Sequence, residues 1–283
     1  MPPRLLLILA AVLFSTGGAA IKFNSLTGWQ VACWRSIIAA IALWIAFPAA
    51  RRRWTMPLVA TGLAYAAMLI LFVSATKLTT AANAIFLQST APLYLLFIGP
   101  LILKEPLRRS DWALMAAMGL GMSFFFVSTE AAVATAPNPA LGNLLAAASG
   151  VAWAIVVSSL RWVARDGSDQ HAAISTVLVG NVLAFAIAFA PALPLPQISA
   201  SDVAVMLYLG ACQIALAYVC LSKAIRHVPA FEAAAILLVE PALNPIWTWL
   251  ILGERPGPRA ILGGAILLGA TAVNSWWSAS RNK

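Results

Sequence analysis

The chain is a succession of apolar runs, each long enough to cross a lipid bilayer as a helix. About 20 residues of helix span the ~30 Å hydrocarbon core. Such runs occupy roughly 4–22, 29–49, 55–76, 80–103, 111–129, 141–161, 172–193, 202–222, 229–252 and 259–277. The joints between them are short and punctuated, as in "RRRW", "KEPLRRSD", "RDGSDQH", "PLPQIS" and "GERPGP". Lipid offers no hydrogen-bond partner to an open backbone, so each run is expected to be helical. A soluble domain carries about 25% charged residues. Here 10% are charged and 62% hydrophobic, which excludes an ordinary globular enzyme. The first run also fits an export signal, with Arg4, an apolar core and a small-residue end "GGAA". The repeat described below requires it as a span.

Basic residues orient the spans, because cytoplasmic loops carry the excess of Lys and Arg. With the N-terminus inside, the inner face holds Arg4, Arg51, Arg52, Arg53, Lys104, Arg108, Arg109, Arg161, Arg165, Lys223, Arg226, Arg281 and Lys283. The outer face holds Lys22, Lys77, Arg255 and Arg259, and Arg35 lies within a span. The expectation is ten transmembrane helices with both termini cytoplasmic. The net charge of +9 thus reads as topology, and no nucleic-acid partner is expected. Cys33, Cys212 and Cys220 sit in apolar runs without CxxC spacing, and His171 and His227 do not cluster with carboxylates. No metal and no other cofactor is expected.

Internal repetition refines this picture. "LILKE" at 101–105 returns as "LILGE" at 250–254, an offset of 149 residues that also carries Pro92 onto Pro241 and Lys77 onto Arg226. At a slightly shorter offset, Phe14-Ser15…Lys22 matches Trp153-Ala154…Arg161. Five spans is an odd number, so the second copy enters the membrane from the opposite side. The all-α fold expected is therefore an inverted 5+5 repeat, an architecture of secondary transporters. Its parts are a first five-helix unit at 4–129, a linker loop at 130–140, a second unit at 141–277 and a tail at 278–283.

These residues resemble the EamA type of the drug/metabolite transporter superfamily. The likeness is carried by "IK" ending the first span, an arginine early in the second, the Pro…Glu spacing in the fourth, and "EP…LGE" in the ninth. It covers nearly the whole chain, and amino-acid and metabolite exporters are most similar in size and layout. The aromatic-glycine pair of the family's first span stands here as Phe14-Ser15, a departure. The resemblance implies a secondary transporter exporting small metabolites, most of all amino acids, aromatic ones among them, by alternating access. It implies a multi-pass protein of the bacterial inner membrane, a monomer or homodimer whose partners are a small-molecule substrate and the bilayer. Drug or nucleotide-sugar transport, and a sensory or structural role without transport, are the alternatives. An enzyme is not expected, because the spans lack a His/Asp metal set, a Ser–His pair or paired aspartates.

Several residues are candidates for a substrate cavity. Glu240 lies about 11 residues, or ~16 Å of helix, into the ninth run, at the depth where an ionisable side chain marks a functional site. It can carry a coupling proton, pair with a substrate ammonium, or hydrogen-bond backbone freed by Pro241. Pro92 and Pro241 each remove a helical hydrogen bond, and matched interruptions in two halves point to a transport site. A packing kink is the alternative. Arg35 either snorkels outward or pairs with Glu254, or it anchors a substrate carboxylate or phosphate. Tyr65, Asn83, Tyr94, Trp153, Tyr218, Asn244 and Trp247 complete the set. Glu105 and Glu254 are expected to form solvated ion pairs at span ends, among Lys104, Arg108, Arg255 and Arg259. Trp29, Trp54 and Trp112 suit the interfacial belt, and Gly62, Gly119, Gly121, Gly263, Gly264 and Gly269 suit close helix approach.

Overall fold

The computed structural model describes residues 1–51, 54–98, 109–127, 132–165, 172–194, 198–224, 227–228 and 230–280. The first span is divided into α1 (Pro3–Ser15) and α2 (Gly17–Phe23), followed by α3 (Gly28–Ala46) and α4 (Met56–Leu78). The fourth span is divided into α5 (Ala81–Gln88) and α6 (Ala91–Ile98), and α7 (Arg109–Ser123) is the fifth. The second half opens with α8 (Pro139–Arg165) and α9 (Ala172–Phe189). Its eighth span joins α10 (Ala200–Leu207), a π-helical segment (Tyr208–Leu216) and α11 (Ala217–Ala224). A ninth, divided into α12 (Ala230–Leu237) and α13 (Val239–Leu252), precedes α14 (Pro258–Ser280). Among the described residues, nine spans are long and apolar enough to cross a membrane. The fifth is the short one: α7 has 15 residues, about 22 Å of helix, and stops before the expected boundary at 129.

Capping chemistry sets several helix starts. Thr27 and Gln30 form a reciprocal capping box on α3, Ser199 and Asp202 another on α10, and the Thr80 hydroxyl accepts from the Asn83 amide on α5. Gly253, at φ +68°, adopts the left-handed conformation that ends α13.

The divided spans need a different explanation, since a break in lipid exposes carbonyls. In the first span the Ser15 and Thr16 hydroxyls donate to the Val12 and Leu13 carbonyls, both at 2.7 Å. In the fourth, Ser89 and Thr90 donate to Ile85 and Leu87 at 2.7 and 2.5 Å. The Ile85 and Leu87 carbonyls also accept from the Ser89 and Thr90 amides, so in the fourth span the hydroxyls add to backbone bonds at the break. The expected breaks therefore exist, but they fall at Ser89–Thr90 and Leu238, a turn ahead of Pro92 and Pro241. Pro245, by contrast, sits inside a continuous α13.

Helix pairings recur in mirrored form. α4 packs on α8 and α9, while the eighth span packs on α1 and α3; α5 packs on α8, while α13 packs on α1. The self-mated pairs α3–α9 and α7–α14 lie between the halves. α7 and α14 cross at Gly121 and Gly263, where a Cβ on Gly263 would lie 2.7 Å from the Gly121 carbonyl. Gly119 and Gly269 have nothing within 4 Å, so they do not serve close approach. With α7 counted beside the nine long spans among the described residues, an even number of crossings would bring both chain ends to one face, the terminal face, and leave the opposite, far face to the turns after the odd-numbered spans.

Candidate functional site

The divided fourth and ninth spans, the break of the first and the π-helical segment meet around one internal cavity. It has a volume of about 260 Å³, and its lining includes Phe14, Arg35, Tyr65, Gln88, Trp153, Gln213, Tyr218 and Glu240. A second chamber of about 230 Å³ shares Tyr65, Trp153, Tyr218, Leu221 and Leu237, and continues past Leu160, Ala173 and Ser222 toward the terminal face. Five of the sequence-derived candidates are thus brought together: Arg35, Tyr65, Trp153, Tyr218 and Glu240.

Their chemistry is unusual for a membrane interior. Arg35 is 5% exposed, and its Nε and Nη1 are buried without a hydrogen-bond partner. Glu240, in the first turn of α13, has no hydrogen bond or ion pair among the described residues. Opposite charges thus line one cavity without forming an ion pair with each other. Rings wall the space between: Phe14 stacks edge-on against Tyr218 at 5.1 Å, and Tyr65 does so at 6.2 Å. Gln88 is fixed by donating to Ser149 Oγ at 2.7 Å, and that hydroxyl donates to the Met68 carbonyl at 2.9 Å. Pro241 has no N–H for the carbonyl of cavity-lining Leu237, nor Pro92 for that of Gln88.

Two expectations for Arg35 and Glu254 are corrected. Arg35 neither snorkels nor pairs with Glu254; its short distance from the span end does not matter, because α3 turns it inward onto the cavity. Glu254 is not in a solvated pair with Arg255 or Arg259. It is buried and pairs with Lys22 at 2.7 Å. For Glu240, no hydrogen bond to the backbone freed by Pro241 is present among the described residues, and the side chain lines the cavity. Glu105 lies outside the described residues.

The remaining candidates lie elsewhere. Asn83 joins a buried network with Thr79 and Asn143 and lines a separate pocket near Arg255 and Arg259. Asn244 is buried against Gly18 at the α2–α13 contact. Trp247 donates to Ser15 Oγ at 2.9 Å, bracing the first break, and the Tyr94 hydroxyl faces Met122 Sδ at 3.7 Å. Neither proline side chain lines the cavity. Sequence reading missed Phe14 as a wall, along with Gln88 and Gln213. Gln213 sits on the π-helical segment, donates to the Phe14 carbonyl at 3.4 Å, and leaves Oε1 buried without a partner. A glutamine within an apolar run was the available signal; the π geometry that turns it inward had none.

The model of the EamA-like transporter family matches residues 2–127 and 140–276. The chain belongs to the EamA-like transporter family. An uncharacterized transporter of Clostridium kluyveri is 30% identical over 77 residues, covering 27% of this chain and 25% of its own. The uncharacterized transporter YdfC of Bacillus subtilis is 27% identical over 204 residues, covering 68% of this chain. This EamA chain spans 25% and 62% of the length of those two relatives. A crystal structure of a protein 19% identical aligns over 99% of both chains with a TM-score of 0.64, and shows the shared fold. EamA membership and nine long apolar spans among the described residues make this a multi-pass membrane protein.

Proposed function

We propose that this chain is a secondary transporter that exports amino-acid-sized metabolites by alternating access through the central cavity. The observation that carries the reading is the pair of unpartnered opposite charges, Arg35 and Glu240, facing one cavity walled by aromatic rings. A buried guanidinium without an anion is costly, and a bound carboxylate removes that cost through charge-assisted hydrogen bonds. Glu240 supplies the complementary site for an ammonium, and Phe14, Trp153 and Tyr218 suit an apolar or aromatic body between the two. The charged chamber of about 260 Å³ adjoins one of about 230 Å³, so volume does not separate amino acids from larger ligands; it is the opposite charges that favour amino acids over drugs or nucleotide sugars. The excess of basic residues at the terminal face supports a cytoplasmic placement of that face, and export is the direction that likeness to the metabolite exporters implies.

The test is flux in reconstituted vesicles with a panel of labelled amino acids, their methyl esters and their decarboxylated amines. The reading expects transport of zwitterions and rejection of both analogue series. Equal transport of amine and zwitterion would remove Arg35 as the anchor, and no flux of any amino acid would sink the substrate class.

A further inference from the structure

Three half-helices reach the far face beyond the breaks that surround the cavity: α2 after Thr16, α5 before Ser89, and α13 after Leu238. They pack on one another, and a single ionic centre ties them. Lys22, ending α2, forms an ion pair of 2.7 Å with Glu254, in the turn after α13, and the two side chains are only 3% and 4% exposed. The other oxygen of Glu254 accepts from the Ala81 amide, first residue of α5, at 2.7 Å. Lys22 also donates to the Thr135 carbonyl in the connection between the halves.

Around this centre the far face is knitted by buried polar bonds. Lys77 donates to the Asn24 carbonyl at 2.7 Å, and Asp202 accepts from the Ser25 amide and hydroxyl at 2.9 Å each. Gln30 donates to the Ala192 carbonyl at 3.2 Å. The charged groups bonded here are Lys22, Lys77, Asp202 and Glu254, and Arg255 and Arg259 line a pocket beside them on the same face. Among the described residues, the terminal face has the Arg4–Glu232 pair, whose arginine side chain is 70% exposed. The second chamber extends toward that face.

We infer that the α2–α5–α13 cluster is a far-face gate, closed in this structure, and that the Lys22–Glu254 ion pair is its latch. The pair crosses between the two halves, and both of its carriers lie beyond helix breaks. α2 and α13 can therefore swing while α1 and α12 stay in place. A pair buried in the closed state and hydrated in the open one responds to mutation directionally. Removing one partner strands a charge only while the gate is closed, and so shifts the population toward opening. The inference rests on the alternating-access reading, but its readout needs no substrate, so failure of flux and failure of the gate are separate results.

The experiment uses a single reporter, Phe72→Cys, in a chain whose Cys33, Cys212 and Cys220 are replaced by alanine. Phe72 lines the cavity in the far-face third of α4. A membrane-impermeant maleimide is applied to the far face of oriented vesicles. Lys22→Met and Glu254→Gln should each raise the labelling rate at least about tenfold over the parent, the size of a modest population shift. The exchanged pair Lys22→Glu/Glu254→Lys should return it toward the parental rate. The double neutral variant Lys22→Met/Glu254→Gln strands no charge, so it should label near the parental rate; labelling as fast as the single variants would overturn charge stranding as the cause. Lys22→Gln, which strands Glu254 equally, is read where Lys22→Met fails to insert, and parental rates in the single variants would overturn the gate. An exchanged pair that labels as fast as the single variants would overturn the ion pair as its latch.

Discussion

Arg35→Met separates a substrate anchor from a structural residue, because the two roles predict opposite signs for stability. In the substrate-free protein, Nε and Nη1 are buried without partners. Each unsatisfied donor costs about 1–3 kcal/mol. Methionine is flexible and apolar, fills the space of the side-chain stem and carries no charge. Against the loss of some packing, the substrate-free variant should therefore gain about 1–3 kcal/mol. Substrate binding should move the other way. A hydrogen bond between charged groups contributes about 1.5–3 kcal/mol, so losing it should weaken carboxylate binding about tenfold to a hundredfold. Two assays are needed: thermal unfolding of the purified protein in detergent without substrate, and KM for zwitterion flux in vesicles. The expected pattern is a higher unfolding temperature, a much higher KM, and a substrate-induced stabilisation lost in the variant. A lower unfolding temperature together with an unchanged KM would refute the reasoning, and would make Arg35 a brace rather than an anchor.

Glu240→Gln should lower affinity for zwitterions about tenfold or more while any dependence on a pH gradient survives in the residual flux. Intact affinity with gradient stimulation lost would make Glu240 the proton carrier instead. Pro92→Ala and Pro241→Ala should insert normally yet slow transport several-fold, because each restores a ladder hydrogen bond at a break; unchanged kinetics in both would reduce the prolines to packing features. Reporter domains fused after Arg53, Arg109 and Lys283 should all score cytoplasmic, and a signal from the opposite side at Lys283 would contradict an even number of crossings.

Most of the architecture was legible because hydropathy is additive along a segment. All ten spans can be recognised as apolar runs, and the fifth, read at 111–129, is shorter in the structure because α7 ends at Ser123. The cavity was half legible. Arg35, Tyr65, Trp153, Tyr218 and Glu240 stand out as polar or aromatic residues at membrane depth, and the structure gathers them. Asn83, Asn244, Trp247 and Tyr94 satisfy the same criterion, yet they bond within helix contacts, since depth says nothing about which way a helix is turned. The Lys22–Glu254 pair was illegible for another reason. Each residue sits at a span end, where solvated charge is the ordinary expectation, and only the convergence of α2, α5 and α13 takes both out of water. The break at Thr16 had no proline to announce it. Its signal was the Ser-Thr-Gly-Gly run, which reads equally well as close packing.

The π-helical stretch in the eighth span has a consequence for how such a cavity can diversify. A π turn amounts to one extra residue within an α-helix. Deleting a single residue between Tyr208 and Leu216 would let the stretch relax to α geometry while the residues on either side keep their faces. Tyr218 and Leu221, which line the cavity, would stay in place and α10 would keep its cap at Ser199, but the side chains within the stretch, Gln213 and Ile214 of the wall among them, would be re-aimed. A substitution changes one side chain of the wall; a one-codon deletion here would change which side chains of the stretch face it, with the span still crossing the membrane. Length variation at this point is thus a route by which the same scaffold can present a different set of contacts to its cargo.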